Sequence, residues 1–246
     1  MSAVFDQYFS QKLTGDGSII GTLIMDICTE LHPTNILFLR STTTGRWLDK
    51  ITLPDLYSSI NLKRIKYQSK KLRNMRLNNQ HHPSTIVVDE DNLSQYLQNL
   101  QIQFDLIVID PFHDKESSYR DLVMTSEILA SNGILLSHDC APTSAKIAVP
   151  DFIDGAWSGL TFAAIVYFAS QHTDWYWRVL DLDTGIGIMS KNPTKYTEHI
   201  NSPDSITKQQ IFNQLIADRK FTEAHSYFQL HAPDLIGLIR KPNPTH

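Results

Sequence analysis

The sequence predicts an α/β fold: a doubly wound, mostly parallel sheet, closed by an antiparallel hairpin and followed by C-terminal helices. Three observations predict it. Short apolar runs alternate with segments of helical period along residues 18–172. The run at 105–109 (DLIVI) is mostly apolar, not alternating, which suits a parallel strand covered on both faces. Polar residues gather just after the runs, where open α/β sheets form their ligand crevice.

The elements follow in order. Ile19, Ile20, Leu23, Ile24 and Ile27 recur at helical spacing and predict a helix over 18–30, stopped by His32-Pro33-Thr34. NILFL (35–39) is a short buried strand, STTTGRW its turn, and 46–50 opens a helix. NLKRIKY (61–67) alternates weakly as a second strand, with a charged helical stretch over 68–79. STIVV (84–88) is the next strand, ending at Asp89-Glu90-Asp91, and 92–100 reads as a helix. After the strand at 105–109, 119–130 is a helix capped by Ser131-Asn132-Gly133. ILLS (134–137) is a strand ending at His138-Asp139. An apolar helix spans 159–172, a hairpin joins 175–181 to 185–189, and helices cover 206–218 and 221–231. The expected division is an α/β domain over 1–190 and a helical extension over 191–246 packed on it.

Composition narrows the function. The 246 residues are 41% hydrophobic and 20% charged, enough for a core without staples. Two cysteines, Cys28 and Cys140, are too few for a disulfide framework and point to a reducing cytoplasm. A formal charge of −4 gives no reason to expect nucleic acid. No apolar run reaches a membrane span, and MSAVFDQYFSQK does not read as a signal peptide. Lys63, Arg64, Lys66, Lys70, Lys71, Arg73 and Arg76 form a basic stretch, read as a solvated face or as attraction for an anion.

Asp110, His138 and Asp139 stand at two strand ends separated by one helix. Two carboxylates and an imidazole can hold a hard divalent cation, Mg²⁺ first, with Mn²⁺, Fe²⁺ or Zn²⁺ left open by the histidine. Such an ion lowers the pKa of a substrate hydroxyl, and His113 is placed to take the proton. Alone, an aspartate in this position often only caps the following turn. Asp151 to Gly159 read as an ordinary loop or a lid over the site. Cys140 reads as a buried filler, and His81-His82 as a loop without metal-site company.

The stretch FDLIVIDPFHDKESSYRDLVMTSEILASNGILLSHDCAP resembles the second half of the class I S-adenosylmethionine (SAM)-dependent methyltransferases, whose fold is Rossmann-like. The closest group is the metal-dependent O-methyltransferases of sugars and small molecules. Asp110, His113, Asp121, His138 and Asp139 fall on their pattern, and WYWRVLDLDTGIGIM resembles their closing hairpin. The resemblance covers about residues 18–190. It implies Asp110, His138 and Asp139 as cation ligands, His113 as general base and SAM as methyl donor. It also implies a small-molecule acceptor such as a sugar; a homo-oligomer stays open.

The cofactor half departs from the pattern. Phe38 stands where an acidic residue belongs, Arg40 where the first glycine belongs, and only Gly45 remains, one place late. The second strand lacks the carboxylate expected to meet the ribose. Asp89 fits the acidic position that faces the adenine. SAM binding therefore rests on Arg40, Ser41, Thr42, Thr43, Gly45 and Asp89. The alternatives are a scaffold that has lost SAM and a fold that reads an anionic ligand through Arg40 and Arg46. A metal-dependent glycosyltransferase using VDED (88–91) or LDLD (180–183) is a further alternative.

Overall fold

The computed structural model describes residues 5–9, 18–53, 59–72 and 81–240. Its strands are β1 (Asn35–Ser41), β2 (Asn61–Gln68), β3 (Thr85–Asp89), β4 (Phe104–Asp110), β5 (Leu129–Ser137), β6 (Tyr176–Leu180), β7 (Ile186–Ser190) and β8 (Leu238–Ile239). They form one sheet in the order β3-β2-β1-β4-β5-β7-β6-β8. Strands β1 to β5 pair in parallel, and β7 is antiparallel to both β5 and β6. The order reverses between β1 and β4, where Arg40 and Asp110 are register partners. A crevice is expected beyond such a reversal.

Helices α1 (Asp6–Phe9), α2 (Ser18–Leu31), α3 (Leu93–Asn99), α4 (Lys115–Glu127), α5 (Thr161–Gln171), α6 (Pro203–Ala217) and α7 (Phe221–Ile236) cover the sheet. Side chains alternate between the faces of a strand. Leu37, Leu39, Ile107 and Ile109 therefore join the core under α3 to α7, while Ile36, Phe38, Leu106 and Val108 join the one under α1 and α2. Burial on both faces explains the unbroken apolar runs.

Some expectations are corrected. Helix α4 begins at Lys115, four residues earlier than predicted, because Asp114 caps it and accepts from Ser117 N at 2.8 Å. Ser131-Asn132-Gly133 do not cap that helix; they lie inside β5. There the pairing with β4 shifts register, and a Cβ on Gly133 would stand 3.0 Å from Phe104 O. Residues 46–50 form a 3₁₀ turn. Of the charged stretch over 68–79, only the 3₁₀ turn Lys70–Leu72 falls among the described residues; Arg73 and Arg76 lie outside them.

Two members of the basic stretch are not on a surface at all. Arg64 is buried, donates to Leu48 O and Ile51 O, and lies over the Phe38 ring. Lys66 is also buried, its amine 3.3 Å from His81 Nδ1.

The C-terminal stretch is more than helical. Phe212 of α6 and Phe228 of α7 pack edge-on against Phe162 of α5, and β8 extends the sheet beside β6. From α7, His225 Nε2 and Gln229 Nε2 both reach Pro142 O, at 3.2 and 2.9 Å. Among the described residues no helix is long and apolar enough to cross a membrane.

Candidate active site

Strand β4 is a rigid rod whose last residue is Asp110, and the next turn is fixed before α4 begins. Phe112 N donates to Tyr67 Oη at 2.9 Å, and Leu160 N donates to His113 O at 2.7 Å. Gly159, with φ +56°, packs so close that a Cβ there would lie 1.9 Å from His113 O. Strand β5 ends beside β4, with His138 N donating to Ile109 O at 3.1 Å.

Four side chains from these two ends meet. His113 Nε2 lies 3.1 Å from Asp110 Oδ1 and 2.9 Å from Asp139 Oδ2. His138 Nδ1 lies 3.1 Å from an oxygen of each aspartate. Asp110, His113 and Asp139 each offer a donor atom, all within 4.8 Å of one another. His113 thus stands inside the donor group.

The electrostatics are those of a buried, paired cluster. Burial pushes the Asp110 carboxyl up, but His138 and His113 overcome it and hold it down at about 2. Burial works against the His113 charge, yet Asp139 and Asp110 raise that imidazole to about 10. His138 is raised and Asp139 lowered by the same opposition of burial and partner charge. The contact between His113 Nδ1 and Trp157 O, 2.5 Å, requires the proton on Nδ1, because a carbonyl only accepts. Nε2 is then the working atom of His113.

The group walls a cavity of about 280 Å³, also lined by Thr43, Gly45, Trp47, Phe152, Trp157 and Asp183. Trp47 is a contributor that sequence reasoning missed. Its indole N–H donates to Asp110 Oδ2 at 2.7 Å and its ring meets His138 edge-on. An indole just past a strand end was the available signal.

The residues expected to bind the cofactor divide. Thr43 and Gly45 line this cavity. Arg40 is buried and spent within its own loop, donating to Ser41 O, Thr44 O and, at 2.5 Å, Asp49 Oδ2. Ser41 Oγ bonds the hydroxyls of Thr43 and Thr44. Thr42 Oγ1 is buried without a hydrogen-bond partner among the described residues. Asp89 is exposed at the end of β3 and is not part of the cavity wall. Near the end of β2, which carries no carboxylate for a ribose, Tyr67 donates to Asp121 Oδ2 at 2.6 Å.

Comparisons with known proteins give one family match and several distant structural likenesses. A family model described as "Methyltransferase domain" matches residues 24–140. No curated protein matches the chain. Among solved structures, SAH-bound PaMTH1, a methyltransferase of Podospora anserina, is 14% identical with a TM-score of 0.44, covering 71% of this chain and 79% of its own. An O-methyltransferase from Bacillus cereus in complex with SAH is 12% identical with a TM-score of 0.44, covering 75% and 95%. The O-methyltransferase TomG from Streptomyces achromogenes, in complex with SAM, is 12% identical with a TM-score of 0.42, covering 75% and 94%. At such values these likenesses say nothing of substrate. The family match runs from within α2 to just past the end of β5 and takes in Asp110, His113, His138 and Asp139: over residues 24–140 this chain is similar to the methyltransferase domain family.

Proposed function

We propose that the chain is a SAM-dependent O-methyltransferase acting, with a divalent cation, on a hydroxyl of a sugar or similar polar small molecule. The observation that carries it is the meeting of Asp110, His113, His138 and Asp139 within about hydrogen-bond reach at the wall of a cavity. A cation fits the donor set. Both ring nitrogens of His138 are buried, near carboxylates, and without a well-formed hydrogen bond. Two carboxylates with an imidazole suit Mg²⁺ or Mn²⁺.

SAM fits in part. Thr42 Oγ1 and Ser69 Oγ, just past the ends of β1 and β2, are buried and have no hydrogen-bond partner among the described residues, so hydrogen-bonding capacity is held in reserve there. Arg40 does not present a free positive charge to a sulfonium, because Asp49 neutralises it.

In this scheme Asp110, Asp139 and His138 hold the cation; it would act as a Lewis acid on the acceptor oxygen, and SAM would supply the methyl group. Without a cation the two aspartates keep the His113 ring protonated; with their charge taken up by a cation, Nε2 would be free to receive the hydroxyl proton, with Nδ1–H kept on Trp157 O so that the ring cannot turn. Trp47, Phe152 and Trp157 exclude water around the acceptor. A second arrangement is favoured by the position of His113 inside the donor group: it could be a ligand itself. As a ligand, His113→Ala weakens Mn²⁺ binding; as the base, it lowers turnover about 10²–10⁴-fold and spares Mn²⁺ affinity.

Calorimetric titration with SAM, with and without Mg²⁺, tests the proposal, followed by S-adenosylhomocysteine release with sugar acceptors. Methyl transfer stopped by EDTA and restored by Mg²⁺ is the expected result. Absence of SAM binding in both conditions removes it.

A further inference from the structure

The turn between β6 and β7 is unusual in its backbone. Asp183, Thr184 and Gly185 have φ of 44°, 68° and 97° in succession. A β-branched residue in the left-handed region is an outlier and needs a surrounding that holds it. That surrounding is the loop after β5. Ala141 N donates to Thr184 O at 2.7 Å and Cys140 N to Gly185 O at 3.1 Å. Thr184 Oγ1 donates to Asp139 Oδ1 at 2.6 Å. A Cβ on Gly185 would stand 2.2 Å from Ala141 N, so only glycine fits. Asp139 itself has φ 59°.

This clamp carries one side chain into the cavity that the scheme above leaves unused. Asp183 lines the cavity, and its Oδ2 stands 3.7 Å from His138 Nε2. His138 therefore lies between the two aspartates on its Nδ1 side and Asp183 on its Nε2 side. An imidazole that ligates through one nitrogen needs its other N–H held by an acceptor, which fixes tautomer and ring orientation.

We propose that Asp183 is the positioning residue of the cation site: its negative charge, 3.7 Å from His138 Nε2, draws the Nε2–H side of the ring toward itself and so turns the Nδ1 lone pair toward the point shared by Asp110 and Asp139. This rests on the cation scheme of the preceding subsection. It also gives the LDLD segment a role other than gripping a nucleotide diphosphate. Asparagine tolerates the left-handed backbone, so Asp183→Asn removes the charge and keeps the turn.

The test is Mn²⁺ binding to chelator-stripped protein, followed by electron paramagnetic resonance, with no SAM or acceptor present. Asp183→Asn should weaken Mn²⁺ about 10–100-fold. In a His138→Ala background the same substitution should change nothing more, because Asp183 acts through that ring. Unchanged affinity in Asp183→Asn overturns the assignment while leaving the cation scheme standing. A loss that persists undiminished without His138 also overturns it. Wild-type protein that binds no Mn²⁺ overturns the cation scheme and this assignment with it.

Discussion

The rim formed by β4 and β5 and the rim formed by β1 and β2 lie side by side on one sheet and use their polar groups in opposite ways. On the first, Asp110, His113, His138 and Asp139 face a shared cavity. On the second, the charged groups and Tyr67 are turned inward. Arg40 holds its own loop together, Arg64 satisfies the carbonyls of Leu48 and Ile51, and Tyr67 ties β2 to Asp121 and Phe112 N. Charged groups near a site are therefore no measure of its chemistry until their partners are counted. Here the first rim presents its charged groups to a ligand and the second spends its charged groups on support.

The largest effect that sharpens this contrast is expected from Asp110→Asn. Turnover should fall to background and Mn²⁺ binding should vanish, while circular dichroism stays native. Turnover that persists, unaffected by EDTA, would break the first half of the contrast. Tyr67→Phe should do the reverse. It strips the buried Asp121 carboxylate and Phe112 N of a partner, for about 1–3 kcal/mol of stability. Urea unfolding measures this; a loss of turnover with no loss of stability would move Tyr67 to the chemical side.

A third expectation concerns pH in the presence of a chelator. His113 keeps its proton up to about 10 in the folded chain but only to about 6.5 when unfolded. Its ion-paired contribution is therefore complete below pH 6.5 and lost as pH rises toward 10. Thermal midpoints should decline across that window, and the decline should shrink in His113→Asn. The smallest effect is expected from Asp89→Ala. One exposed hydrogen bond is worth about 1 kcal/mol, so S-adenosylhomocysteine affinity should drop by no more than about tenfold. No change would remove Asp89 from the cofactor site.

Much of this was legible in the sequence, for physical reasons that differ by residue. Strands β1 and β4 were found because burial on both faces forces continuous apolar runs. Asp110 and the 138–139 pair were found because they end such runs. The start of α4 was missed because KESS looks polar and featureless until Asp114 is recognised as its cap. The nature of β5 was hidden by Ser131-Asn132-Gly133, whose turn chemistry serves a register shift inside a strand. Trp47 and Asp183 could not be placed from spacing, since both reach the cluster through tertiary folding. The fate of Arg40 was illegible too: its partner Asp49 sits in a 3₁₀ turn that no periodicity announces.

The two bonds from α7 to Pro142 O have a consequence for how small this molecule can be made. Pro142 is three residues beyond Asp139, so the far end of the chain moors the segment that presents an acidic side chain to the cavity. A chain ended at residue 190 would keep the domain match and the whole Asp/His cluster, and still lose these two bonds, leaving the segment held by the turn at Thr184 and Gly185 alone. The unit that holds this segment in place is therefore longer than residues 24–140, which the family model matches.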